Sequence, residues 1–532
     1  MLTFQQTARS VRLFLTGKEA QLAARATSRI QYVFNYEKGE FTAPCDPRIA
    51  EFLFRLNIQP DSYVRQWYRK IVSGEKQLAD ISRMDDAELH HPRAESLRPY
   101  QRVGVFFINR RKGAILADEP GLGKTLQAIV AVEEHGIPNH ALIVCPNNVK
   151  LWWERALLQW ANSNQDIYVF HARNKTLELN HRWIIINYES FIRKPEILGQ
   201  EWDWLILDEA HRAKNRKTKT YHTLKKLRTE RMALLTGTPF GNEPAEIWAL
   251  LNLIEPAHFT SYWRFRELYT ESDDYGTVTG SRNEDLLRRD LASRMLRRCK
   301  EEVEPDLPEK MYQEIPLEMD AKQERIYRKM SKEARIELEN QEILTATTIL
   351  AQMTRLRQIL STPANFDLPD VSCKLDAAVE LVQDSDDGIL IFTLYVATAK
   401  ALQARLQKAE IPCGLLIGET SLEEREEQIK ALNEGKLRVL VGTLQTAGIG
   451  LTLTGASTVI FVDKHYNPEK QDQAESRCHR IGQTKNVRIL SLIVPGTIDD
   501  LVEEILARKL NMQELVLQRP REMVQRLMEV LR

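Results

Sequence analysis

Two series of short aliphatic runs, spaced by helical stretches, restrict the fold of this chain more than any other feature. The first series is "GAILAD" (113–118), "HALIVCP" (140–146), "RWIIINY" (182–188), "WDWLILDEAH" (202–211) and "RMALLTGTP" (231–239). The second is "GILIFT" (388–393), "CGLLIG" (413–418), "RVLVGT" (438–443), "STVIFVD" (457–463) and "VRILSLIV" (487–494). Runs this short, rich in Ile, Leu and Val and bounded by turn residues, are the pattern of parallel strands buried on both faces and joined by crossover helices. The chain therefore predicts two α/β units. A length of 532 residues leaves room for two or three domains.

Residues 1–92 read as a small N-terminal accessory domain. "SRIQYVFNYEKGEF" alternates like a strand with a turn at Lys38-Gly39, and "DPRIAEFLFRLNI" and "DSYVRQWYRKIV" read as short helices opened by Asp. Residues 93–300 form the first α/β unit, with a helical protrusion at about 243–295. Residues 301–370 are expected to be a helical linker and second protrusion, 371–500 the second α/β unit, and 501–532 C-terminal helices.

"ILADEPGLGKT" passes from a strand through a Gly-rich turn into a helix, the context a phosphate-binding loop requires. Gly121 and Gly123 free backbone N–H groups to face phosphates. Lys124 would neutralise β/γ oxygens, and the Thr125 hydroxyl would ligate Mg²⁺. The strict GxxxxGKT form fails, because Asp118 stands where its first Gly belongs. Pro120 fixes φ and removes one N–H, so a stiffer loop with intact nucleotide binding is expected. Asp208 and Glu209 close an apolar strand, at the sheet end where ligands bind in open α/β folds. Asp208 suits the Mg²⁺ shell, and Glu209 suits the activation of water. An acidic turn needs no phosphate loop in the same unit; here one is present.

Net charge is zero, so no global field draws the molecule onto nucleic acid, and contact must come from local basic patches. Residues 211–228, "HRAKNRKTKTYHTLKKLR", hold eight Lys/Arg and no acid. Such runs are usually solvated faces. After "CP" at 145–146, Asn147 and Asn148 offer amides for phosphate oxygens. Trp153 and Trp160 sit two helical turns apart and read as core. No base-reading element is visible, so binding without sequence specificity is expected. The six cysteines form no CxxC pair, which suggests neither a zinc site nor a disulfide framework. There is no run of transmembrane length and no signal-peptide pattern, so no membrane contact is expected.

"QAESRCHRIGQ" (473–483) places Arg477 and Arg480 three apart, on one face if helical. Together with "LRPYQ" (97–101), "DEPGLGKT" (118–125), "DEAHRAKN" (208–215), "LTGTP" (235–239) and "LRRCKEEVEPDLPEK" (296–310), in that order, it resembles the Snf2 family of superfamily 2 ATPases. The resemblance covers about residues 95 to 495. It implies two RecA-like lobes with ATP between them, and Arg477 and Arg480 as fingers from the second lobe to phosphates on the first. It implies that Gln101 reads adenine, that Gly450 approaches the ribose, and that Thr236, Gly237 and Thr238 couple hydrolysis to movement. His211 and Gln483 would link the lobes. Lys214, Asn215 and Thr443 would line the DNA track, and Arg297 and Arg298 would sit at a hinge or brace. Thr452 stands where the family has Asn, a feature nearer its fork-remodelling branch.

The implied protein is an ATP- and Mg²⁺-dependent double-stranded DNA translocase that remodels or displaces protein–DNA or forked DNA structures. A strand-separating helicase, an ATP-gated DNA-binding module with little turnover and an RNA-directed ATPase are the alternatives. These 532 residues leave no stretch for the bromodomain-, chromodomain- or SANT-like additions of eukaryotic remodellers. A compact, monomeric, nucleoid-associated motor of a bacterial or phage-infected cytoplasm is expected, with residues 1–92 as a contact for a protein partner.

Overall fold

The computed structural model describes four short N-terminal strands and then most of the chain from residue 76; outside the description lie 1–3, 8–9, 15–32, 36–39, 45–75, 78, 82, 172–173, 175, 241–242, 273–277, 305–306, 340–345, 448–452, 481, 508–519 and 531–532. The two N-terminal helices expected at 46–58 and 61–72 fall there. The chain divides into two compact units, residues 1–119 with 123–299, and residues 300–532 with 120–122.

The N-terminal strands β1 (Phe4–Thr7), β2 (Ser10–Phe14), β3 (Val33–Asn35) and β4 (Glu40–Pro44) form an antiparallel sheet in the order β1-β2-β4-β3. Phe34 pairs with Phe41, so paired strands flank the expected turn, and Lys38-Gly39 lies outside the described residues.

The first unit carries β5 (Gly113–Leu116), β6 (Ala141–Cys145), β7 (Ile167–Val169), β8 (Trp183–Asn187), β9 (Glu201–Asp208), β10 (Arg228–Leu235), the hairpin β11 (Thr270–Ser272) and β12 (Val278–Ser281), and β13 (Met295–Leu296). Its main sheet has the order β13-β5-β10-β9-β6-β8-β7, and every pairing is parallel. β5, β6 and β8 are buried along their whole length. That is why they read as unbroken aliphatic runs rather than alternating ones. Each fully buried Ile or Leu contributes about 1.5–3 kcal/mol. Register sets up the chemistry: Leu235 lies opposite both Leu116 and Asp208. Three adjacent strands therefore end at one level, and the loops after them leave from one edge.

The second unit carries β14 (Lys310–Pro316), β15 (Ile389–Thr393), β16 (Cys413–Leu416), β17 (Val439–Thr443), β18 (Thr458–Phe461) and β19 (Val487–Ile493), all parallel, in the order β14-β19-β18-β15-β17-β16. Ile389 and Ile391 face one apolar cluster, and Leu390 and Phe392 face the other. Both faces are thus covered, as a period of two requires.

One expectation is corrected. Residues 310–316 are an edge strand of the second sheet rather than part of a helical linker; the segment "KMYQEIP" is mostly exposed, so it carries no aliphatic run to read. The helices Ala321–Glu339 and Ala346–Ser361 pack with the C-terminal ones. Tyr327, Met353 and Leu356 share a single cluster with Leu501, Ile505, Met523 and Leu527. Among the described residues, no helix is long and apolar enough to cross a membrane.

Candidate functional site

The loop after β5 turns on glycine. Gly121 and Gly123 have φ of 98° and 76°, a region side chains rarely adopt. At Gly123 space is also short: a Cβ there would lie 2.6 Å from Gln101 Nε2. Gln101 is buried on the helix Pro99–Asn109, and its Oε1 accepts from the Arg98 N–H at 3.0 Å. It thus lies against the loop, where the resemblance put an adenine reader. Lys124 opens the next helix, and its ammonium donates to the carbonyl oxygens of Asp118 (2.5 Å) and Glu119 (3.1 Å). Thr125 follows in the same first turn.

Asp118, the departure from the strict loop pattern, has a structural reason. Its side chain is fully buried and bonds Arg298: Nε reaches Oδ1 at 2.9 Å, and Nη2 contacts Oδ2. Arg298 also donates to Gln127 Oε1 (2.9 Å) and to the Tyr100 carbonyl, and Gln127 Nε2 returns to Asp118 at 3.3 Å. This buried pair joins the floor of the loop to both flanking helices. Gly104 makes room for it, since a Cβ there would stand 1.8 Å from Gln127 Oε1. Next door, Arg297 donates to the Gly237 carbonyl at 2.9 Å, holding the loop after β10. There Thr236 is buried, and its hydroxyl accepts from Thr238 N at 3.2 Å. Sequence reasoning placed these arginines at a junction and missed what they hold, because the partners of Arg298 and Asp118 are separated by 180 residues.

Asp208 ends β9, opposite the end of the neighbouring strand β10. Trp153 Nε1 donates to its Oδ2 at 2.8 Å, the Glu209 N–H donates to Oδ1 at 3.0 Å, and the Tyr188 hydroxyl donates to its carbonyl at 2.7 Å. Trp153 is fully buried, as its reading as core predicted, yet its one polar atom is spent on this carboxylate. Burial, and then the neighbouring Glu209 carboxylate, push Asp208 up to about 6, against the pull of the Trp153 hydrogen bond and the Lys124 charge. Glu209 itself is left-handed, with φ 51° and ψ 51°. A residue with a Cβ held there costs about 1–3 kcal/mol. The turn swings the chain off the strand so that two consecutive carboxylates leave its end, and Glu209 lies 3.2 Å from His211 Nδ1.

Of the nucleic-acid candidates, Asn147 and Asn148 form a single turn after β6, partly or fully exposed. Lys214 pairs with Glu246 at 2.8 Å, and the exposed Asn215 accepts from Lys217 N at 2.9 Å, shaping the turn before the helix Lys219–Leu224. Thr443 ends β17 in the second unit and is buried, its hydroxyl bonded to that of Thr446 at 3.0 Å. Gly450 and Thr452 lie outside the described residues.

The arginine motif belongs to the second unit. The helix Pro468–Glu475 ends before it, so Arg477 and Arg480 sit in consecutive turns and not on one helical face. The reason lies in contacts with distant residues. The carbonyl of Arg477 is taken by Leu453 N (3.0 Å), Gly482 turns left-handed (φ 100°), and Gln483 Nε2 donates to the carbonyls of Ala456 (2.8 Å) and Thr454 (3.3 Å). Lys300 adds a clamp, donating to the His479 carbonyl at 2.5 Å and to Ser476 Oγ at 3.2 Å. Gln483 is thus engaged within the second unit and His211 within the first.

A phosphate-type loop and a carboxylate pair lie at one sheet edge of the first unit, with an ordered arginine turn in the second. The family model for the SNF2-related domain matches residues 48–365, and that for the helicase conserved C-terminal domain matches residues 373–482. The human chromodomain-helicase-DNA-binding protein 1 is 28% identical over 466 residues, covering 80% of this chain and 27% of its own length. An uncharacterized ATP-dependent helicase of Mycoplasma pneumoniae is 27% identical over 450 residues, covering 81% of this chain and 43% of its own. The chain spans less than half the length of either relative. The solved Sulfolobus solfataricus SWI2/SNF2 ATPase core in complex with dsDNA is 28% identical, with 79% of this chain and 93% of that one covered, at a TM-score of 0.40.

Proposed function

The chain belongs to the SNF2-related family, and from that premise we propose that it hydrolyses ATP to move along double-stranded DNA without sequence specificity, displacing or remodelling what it meets. The observation that carries the reading is the shared register of β5, β9 and β10, which brings Lys124, Asp208–Glu209 and Thr236 to one edge of one sheet.

In this reading Gln101 holds the base, and the N–H groups after Gly121 and Gly123 hold phosphate oxygens. Lys124 exchanges its carbonyl partners for β/γ oxygens. Thr125 and Asp208 are hard oxygen donors that fit Mg²⁺, which when bound neutralises phosphate charge. A site with one carboxylate suits a cation that keeps waters and substrate oxygens, and among the described residues no larger cluster of metal ligands exists. Glu209 takes a proton from the attacking water. The new bond forms from water oxygen to γ-phosphorus, the bond to the β–γ bridging oxygen breaks, and ADP and phosphate leave. Arg477 and Arg480 stabilise the transferring charge. The run 211–228 supports salt-sensitive binding to a phosphate backbone, and the human relative is named for DNA binding.

The test is ATPase activity against blunt duplex, fork, single strand and RNA. Duplex DNA is expected to stimulate most, and equal rates with and without nucleic acid would sink the reading. A labelled-strand displacement assay beside triplex displacement separates a translocase from a strand-separating helicase. Glu209→Gln is expected to lower turnover about 10²- to 10⁴-fold. Trp153→Phe keeps an aromatic ring, smaller than the indole, and removes the donor to Asp208. The Mg²⁺ concentration for half-maximal turnover should rise by about 10- to 100-fold, as a Mg²⁺ titration of the steady-state rate would show.

A further inference from the structure

On the first unit an aromatic pair stands among arginines at the surface. Trp263, on the helix Tyr262–Tyr269, is 62% exposed. It lies edge-to-face against Tyr262, with centroids 5.4 Å apart. Tyr262 in turn packs edge-on against the buried Trp248 at 5.7 Å, which anchors the pair in the core. The Arg216 guanidinium stands 4.3 Å from the centre of the Tyr262 ring and 5.3 Å from that of Trp263, and Arg266 stands 5.9 Å from Trp263. Arg264, exposed, is on the same helix. Arg216 belongs to the run 211–228, whose eight Lys/Arg include three paired with glutamates, Arg212 with Glu189, Lys214 with Glu246 and Arg228 with Glu201.

We propose that Trp263, flanked by Arg216 and Arg266, is a stacking platform for an unpaired base, so that the chain engages DNA best where a single strand meets a duplex. The inference rests on the reading of 211–228 as a DNA track and adds a substrate class to it. An indole kept in water is unfavourable unless something covers it, and a base does so with a face of matching size and polarity. Aromatic rings joined to arginines recur where single strands are held without sequence preference. Inside a duplex both faces of each base are already stacked, so an internal paired stretch would use the arginines and leave the indole idle. An acidic protein segment would satisfy the arginines too, but it has no flat partner for the ring.

The experiment uses the full chain with Trp263→Ala and Trp263→Phe. Affinities are measured for a blunt duplex, for the same duplex carrying a single-stranded arm with 2-aminopurine beside the junction, and for polyglutamate. Wild type is expected to prefer the armed duplex and to quench the 2-aminopurine. Trp263→Ala should reduce the armed-to-blunt affinity ratio about tenfold and abolish the quenching, and Trp263→Phe should recover part of both. A ratio unaffected by Trp263→Ala overturns the platform while leaving the DNA reading intact. An equal loss for both duplexes, or for polyglutamate, overturns it as well, since the patch would then be general for polyanions. Wild type that binds neither duplex would overturn both readings together.

Discussion

Arg480→Ala is expected to slow ATP hydrolysis by about 10³- to 10⁵-fold, the range that a finger arginine commands in phosphoryl transfer. The loss should fall on kcat. An interaction made mainly as charge develops on the transferring phosphoryl group changes turnover more than ground-state nucleotide binding. Arg480→Lys should recover little, because a point charge on a flexible stem does not reproduce a planar fork of donors. The variant should fold, since the turn around it is held by backbone bonds and by the side chains of Lys300 and Gln483. Single-turnover hydrolysis beside equilibrium binding of a labelled nucleotide reads both quantities. A loss under about tenfold would remove Arg480 from the reaction.

Arg298→Met should destabilise the first unit by about 3–5 kcal/mol. The substitution keeps much of the volume and removes the cation, leaving Asp118 fully buried with Gln127 Nε2 as its remaining described side-chain donor. An unpaired charge in that position is far more costly than the intact pair is favourable. The double variant Asp118→Leu/Arg298→Met should regain part of the stability, because an apolar pair of similar volume replaces the ion pair while the buried Gln127 amide and the Tyr100 carbonyl lose these bonds. It should not regain nucleotide binding to the same extent, since the pair also fixes the floor of the loop against Tyr100 and Gln127. Urea unfolding followed in parallel with nucleotide affinity separates the two effects. Equal stability of Arg298→Met and wild type would show that the pair carries no such role.

How far the sequence carried this reading depended on the side chains involved. The strands that were legible are those buried on both faces, such as β6 and β8, because their surroundings demand aliphatic residues at every position. β7 and β13 are three and two residues long, and β14 exposes Met311 and Tyr312, so none leaves a period to detect. The glycine turn and the paired carboxylates at a strand end were legible because each is a contiguous motif with a strand before it. The grip of Arg298 on Asp118, of Trp153 on Asp208 and of Lys300 on the His479 carbonyl was not. Each is a contact between residues far apart in sequence, created by sheet order rather than by any local pattern. The helical face assumed for Arg477 and Arg480 failed for a related reason: Leu453 N, a distant group, claims the carbonyl of Arg477.

The left-handed backbone at Glu209 sets selection for durability against selection for work. Glycine at 209 would relax the turn, and asparagine would tolerate it, yet each discards the carboxylate proposed to accept the proton. A library of this chain sorted only for resistance to heat or protease should therefore drift at position 209 toward variants that outlast the parent and no longer run.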